Sequence, residues 1–166
     1  MSFQVARALT LTGRLSVTQV IHVRDEKAET TYGGTFTSGA WRVRDLNASK
    51  TNTITGASLA SNQITLPAGT YWVHATAPAY RASRHRAKLY NTTGAADVLL
   101  GTSTYSGPGA YSAATLSFLS GQFTLTATSV LELQHRCETT NAIHGFGVES
   151  NFGTEAYSDV VIWKTA

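Results

Sequence analysis

The feature that most constrains this chain is the return, again and again, of short runs in which apolar and polar residues alternate, each closed by glycine or proline. Successive side chains on a strand point to opposite faces, so a period of two marks a segment with one buried face. Trp41-Arg42-Val43-Arg44-Asp45-Leu46 alternates strictly and places Trp41, Val43 and Asp45 on one face. Residues 70–77 divide into Tyr71, Val73, Ala75 and Ala77 against Trp72, His74 and Thr76. Residues 130–137 set Leu131, Leu133, His135 and Cys137 opposite Val130, Glu132, Gln134 and Arg136. Further strands are predicted at 20–23, 63–66, 86–91, from Val98 towards Tyr105, and at 143–149 and 160–163. Residues 116–125 read as a strand pair or as one strand bulged at Gly121. Gly33-Gly34, Ser38-Gly39, Pro67-Ala68-Gly69 and Ser106-Gly107-Pro108-Gly109 supply turn chemistry between them. A helical period is nearly absent; its one weak candidate, residues 55–60, is undermined by Gly56. Many short strands without interleaved helices predict an all-β fold, an antiparallel β-sandwich of the jelly-roll kind, and argue against a βαβ architecture.

The last predicted strand adds a second constraint. Val160 and Ile162 point one way while Val161 and Trp163 point the other, so both of its faces are apolar. Tyr71-Trp72-Val73 is two-sided in the same way. The outer face of a two-layer sandwich normally meets water, so either a loop or another subunit covers these residues. Tyr71, Trp72, Val161 and Trp163 are the expected subunit-interface residues, and a homotrimer is the expected assembly. Composition agrees. Charged residues make up 14% of the 166, against about 25% in ordinary soluble domains, which leaves little charge to keep copies apart. At 42% hydrophobic the chain can bury a sizeable core. It reads as one domain, 20–166, preceded by an extension over 1–19 that either docks on another protein or is a plain leader.

Several classes are disfavoured. A net charge of +3 with a pI near 9.2 is too weak a field for a nucleic-acid binder. No run approaches the ~18 apolar residues of a membrane span, and the first residues lack a signal-peptide core, so synthesis in a reducing cytoplasm is expected. Cys137 stands alone and in phase with Leu131 and Leu133, as a small buried hydrophobe would. His22, His74, His85, His135 and His144 have no ligand-like spacing; neither a metal nor a cofactor is expected. No nucleophile elbow, zincin or phosphate-loop motif is present. Glycosidase carboxylates are recognised only by their separation in space, so a polysaccharide depolymerase stays open at this point.

The segment 33–41 (GGTFTSGAW), residues 64–80 (ITLPAGTYWVHATAPAY), residues 85–92 and the ending 157–164 (YSDVVIWK) resemble bacteriophage tail-fibre and virion-spike tip proteins. The Gly-Thr-Tyr strand and the closing apolar strand also resemble the jelly roll of the tumour necrosis factor and complement globular-head superfamily. The resemblance implies a compact trimer with one sheet of each protomer on a three-fold axis, at the outer end of a fibre or spike on a virion or phage-like particle. It implies a non-enzymatic tip that binds a host-surface receptor, a glycan above all. The leading segment would meet other fibre, tail or head proteins. A purely structural trimerisation or decoration module is the alternative.

Arg81, Arg84, His85, Arg86 and Lys88 form the densest cluster of basic or titratable groups, with Tyr80 and Tyr90 beside it. Guanidinium forks suit carboxylates and phosphates, and aromatic faces suit sugar rings, so this run is the candidate site for an acidic sugar of a host polysaccharide. A solvated face, or pairing with Glu132, Glu138 or Asp97, is the other reading. Tyr105, Tyr111, Asn141, His144 and Tyr157 are the loop candidates, in segments whose Thr, Ser, Asn, Gly and Tyr content suits adaptable contacts or the mere capping of the sandwich ends.

Overall fold

The computed structural model describes residues 19–109 and 112–165. Among these the chain forms twelve strands and no helix: β1 (Gln19–Lys27), β2 (Arg42–Val43), β3 (Ala48–Asn52), β4 (Ser58–Ala60), β5 (Gln63–Leu66), β6 (Gly69–Ala79), β7 (Ser83–Asn91), β8 (Ala96–Leu100), β9 (Thr104–Ser106), β10 (Thr115–Leu125), β11 (Ser129–Cys137) and β12 (Glu155–Lys164). They lie in two sheets. One has the order β10-β6-β12-β1-β3; the other runs β4-β5-β11-β7-β8, with β2 added to β11 and β9 added to β7. Every pairing is antiparallel. The fold is the all-β antiparallel jelly-roll sandwich that the periodicity predicts.

Alternation decides which side chains make the core. From the first sheet Ile21, Val23, Tyr71, Val73, Leu119, Val160 and Ile162 point inward; from the second, Ile64, Leu66, Leu89, Leu131 and Leu133 meet them. All are essentially inaccessible to solvent. At roughly 25 cal/mol per Å² of apolar surface removed from water, each such side chain contributes about 1.5–3 kcal/mol of gross burial. Tyr71 belongs to this core: its ring stacks on Phe123 at 5.4 Å and its hydroxyl donates to the Pro67 carbonyl. It is fully covered within one protomer, which removes it from the expected interface set. Val161, Trp163 and Trp72 do point away from the core, as the two-sided pattern requires.

Two local expectations are corrected. β10 is one strand whose register with β6 is unbroken from Thr115 to Leu125, so there is no bulge at Gly121. Instead, a Cβ at Gly121 would press on Leu99 at 3.1 Å, and the glycine serves close packing of the second sheet against β10. Residues 143–146 form turns and 147–149 no regular element, so there is no strand here; just before them Asn141 bridges to Phe36. Their glycines permit backbone to lie on backbone: a Cβ on Gly33 would sit 2.6 Å from the Gly147 nitrogen. Residues 55–60 hold no helix and end in β4, which turns into β5 through Ser61 and Asn62, both at positive φ as a two-residue hairpin needs.

The alternation at 41–46 also hides an inversion, because the buried member of its charged face is Arg44. Its Nε donates to Ser158 Oγ (2.9 Å), Nη1 to the Pro78 carbonyl (3.0 Å) and Nη2 to the Phe146 carbonyl (2.9 Å). The guanidinium lies 4.0 Å from the Phe146 ring centroid. Burial lowers its pKa to about 10, with the buried Asp25 opposing that shift, so it stays charged at neutral pH. One side chain thus ties β12, β6 and the 138–154 loop together at the end of the sandwich. Arg44→Leu leaves three acceptors unmatched and should lower stability by roughly 2–4 kcal/mol, read as a shift of the urea midpoint. An unchanged midpoint would mean that this end is held by other contacts.

Candidate functional site

The outer faces of the two sheets differ sharply. On the first, the register sets Val20, Trp163, Trp72 and Gln122 in one row across four strands. The next rows hold His22, Val161, His74 and Ser120, then Arg24, Asp159, Thr76 and Phe118. Trp72, Leu116 and Phe118 are 45%, 41% and 43% exposed in the single chain. The charges on this face are already matched: Asp159 accepts from Arg24 Nε and lies 3.1 Å from His22 Nε2. Covering the face would therefore strand no lone charge.

On the second sheet an open groove of about 670 Å³ lies across β7 and β11. Its walls include Ser38, Trp41, Arg84, His85, Arg86, Thr104, Arg136 and Glu138. Arg86 and Arg136 are direct cross-strand partners on β7 and β11. Next to them β2 pairs Arg42 with His135, which carries Trp41 to the Arg136 end of the row. Arg84 is engaged by Glu138 at 3.1 Å. Among the described residues neither Arg86 nor Arg136 has a carboxylate within ion-pair distance.

The predicted basic run is thus brought together only in part. Arg84 and Arg86 enter the groove. Lys88 shares their strand face but is covered: its Nζ pairs with Asp97 and lies 4.4 Å from the Trp41 ring and 4.6 Å from the Tyr90 ring. Lys88 and Tyr90 are therefore supports of the groove's edge rather than ligand contacts. Arg81 sits in the β6–β7 turn with its guanidinium 5.0 Å from the Tyr80 ring, outside the groove walls. His85 touches the groove but is 4% exposed, hydrogen-bonded through Nδ1 to His135 Nε2 (3.0 Å) and through Nε2 to Thr115 Oγ1 (2.8 Å). Burial, aided by Arg44, pushes its pKa down to about 4 and that of His135 well below the ordinary histidine range. Both imidazoles are neutral at pH 7.

The loop candidates scatter. Tyr105, more than half exposed on β9, is paired with Arg84 but is not among the groove walls. Asn141 is structural: its amide donates to the Tyr80 carbonyl and its oxygen accepts from the Ile143 and His144 backbone. His144 packs edge-on against Tyr32 and pairs with Glu149. Tyr157 is buried, its hydroxyl bonded to the Thr31 carbonyl, and burial beside Glu155, Glu149 and Asp25 pushes its pKa up to about 12. Tyr111 and residues 1–18 of the predicted 1–19 extension lie outside the described residues, while Gln19 opens β1. Trp41 and Arg136 were missed as groove residues. Both lie on the outward phase of alternating runs, and only the pairing of β2, β11 and β7 brings them beside Arg86.

Chemically the groove offers two unmatched guanidinium groups, an indole and several hydroxyls. Its one carboxylate, Glu138, is held by Arg84, whereas glycoside hydrolysis uses two carboxylates across the scissile bond. No group of three His, Cys, Asp or Glu side chains among the described residues is placed to hold a metal ion.

No protein-family model matches the chain, and no curated protein matches it. Solved structures do. The globular domain of zebrafish complement 1qA protein aligns over 90% of this chain and 98% of its own, at 13% identity and a TM-score of 0.55. Murine APRIL, in a crystal structure at pH 5.0, aligns over 89% and 99%, at 9% identity and a TM-score of 0.57. These likenesses establish the jelly-roll fold that complement globular heads and APRIL share. The tail-fibre resemblance of the sequence gains nothing from them.

The histidine pair carries a pH consequence. The unfolded chain takes up protons on these residues near pH 6.5, while native His85 does so only at about pH 4 and His135 is held well below the ordinary histidine range. The stability that their neutrality contributes is complete above pH 6.5 and is lost as the pH falls from there towards 4. The thermal midpoint should therefore drop between pH 7.5 and 4.5, and drop less in His85→Gln/His135→Gln. Parallel profiles for the two proteins would contradict this.

Proposed function

We infer that this chain is a homotrimeric, non-catalytic recognition domain, whose first sheet forms the subunit interface and whose second sheet presents its groove outward. The observation that carries the reading is the row of Trp163 and Trp72, directly paired across β12 and β6, on a face where Leu116 and Phe118 are also exposed. Large apolar side chains gathered in the open on one sheet face mark an interaction surface. The complement-type jelly roll supports a three-fold arrangement, and the matched Arg24–Asp159–His22 corner allows the face to close without an unpaired charge.

A finer placement follows from the sequence resemblance in residues 33–41, 64–80, 85–92 and 157–164: the tip of a virion fibre or spike that adheres to a glycan on the host surface. Three grooves on one trimer would act together, so weak single sites gain by effective concentration. The depolymerase reading has no support in the groove, whose single carboxylate is occupied.

Trp72→Glu/Trp163→Glu places two negative charges in the proposed interface while leaving the inward core untouched. It should yield folded monomers by size-exclusion chromatography, and binding to host cells at least tenfold weaker than that of the unmodified protein. Retained trimers would overturn the assignment of the interface. A trimer that binds no cell, yet still joins particles, would reduce the domain to a structural module.

A further inference from the structure

Arg86 and Arg136 face each other across β7 and β11 at a directly paired position. Like charges so placed repel, and sheets ordinarily avoid the arrangement. The surrounding charges show that neutralisation is within this chain's repertoire. Lys88, two residues along β7 from Arg86, has Asp97, and Arg84, two residues the other way, has Glu138. Of the three cations on this face of β7, only Arg86, like its cross-strand partner Arg136, has no carboxylate within ion-pair distance among the described residues. We propose that the Arg86–Arg136 pair, with Trp41 beside it, is the binding site for an acidic saccharide whose carboxylate or sulfate takes the place of the missing counter-ion.

The geometry selects this ligand class. Guanidinium forks bind planar or tetrahedral oxyanions through paired N–H bonds. A groove of about 670 Å³ is far larger than an inorganic ion needs and falls in the range used for organic ligands. Trp41 offers apolar ring surface at the end of the same row, and Ser38 and Thr104 place hydroxyl groups on the walls. Two unmatched cations are too few for a nucleic-acid backbone, which recruits many. In a trimer built on the first sheet, this groove lies on the opposite face of the sandwich and stays open. The proposal rests on the recognition reading above and names the chemistry of its ligand.

The test uses the full chain and three defined probes: trigalacturonate, sialyllactose and a sulfated disaccharide. The carboxyl-reduced trigalacturonate serves as the neutral control, with inorganic phosphate, a short acidic peptide and a single-stranded oligonucleotide alongside. Calorimetry at low salt should show at least one acidic saccharide binding tenfold or more tightly than the neutral control, and more tightly than phosphate, peptide or oligonucleotide. Raising salt should weaken it. Arg86→Gln/Arg136→Gln should lose at least tenfold in that affinity while its unliganded thermal midpoint is equal or higher, because a repulsion has been removed. Failure of all three saccharides, equal binding of the neutral control, tighter binding of phosphate, peptide or oligonucleotide, or unchanged affinity in the double variant each overturns the proposal. Whole-cell binding on the same samples separates the two claims. If the trimer adheres to cells but no acidic saccharide binds, the ligand chemistry falls and the recognition reading stands.

Discussion

A cross-strand pair of indoles on an open sheet face sets the terms for the rest of this molecule. β12 lies in the middle of the first sheet, between β6 and β1. Its inward residues Val160 and Ile162 are spent on the core, yet its outward residues Val161 and Trp163 are apolar as well. A strand in water needs only one apolar face, and the second is a cost unless something covers it. β6 and β10 repeat the pattern with Trp72 and Phe118. Three adjacent strands thus share one excess, which is why the proposed interface is placed on this sheet.

The second sheet follows from that division. In the proposed trimer one face of the sandwich is committed to subunits, and the opposite face is where a ligand can be met. Its charges are arranged accordingly, paired at the flanks and left unmatched in the centre. Beneath the groove lies a buried polar layer, in which the neutral His85–His135 pair and the charged Arg44 are each hydrogen-bonded into several strands. Such a layer ties together the strands β7, β10 and β11 beneath the groove and the ends of β6 and β12 beside it.

Much of the fold was legible because period-two alternation is a local signal. The division of residues 70–77, 130–137 and 160–163 between two faces reappears residue by residue. What failed were features set by long-range register. The burial of Arg44 was not legible because nothing local announces the Ser158, Pro78 and Phe146 acceptors more than thirty residues away. Lys88 reads as a site residue with pairing to Asp97 as the other reading, and the second holds because the pairing of β8 and β2 brings Asp97 and Trp41 onto it. The glycines of 143–149 punctuate a loop packed against 33–36, and alternation alone cannot distinguish that from a strand. The candidate site was therefore half visible: Arg84 and Arg86 by composition, Arg136 and Trp41 only by topology.

The central claim is that one protomer cannot satisfy its first sheet alone. Sedimentation equilibrium of the unmodified protein, from high concentration down to the submicromolar range, tests it most directly. The account predicts a single species of three times the 17.7 kDa chain mass across that range. A well-behaved species at the mass of one chain, even at high concentration, would contradict it.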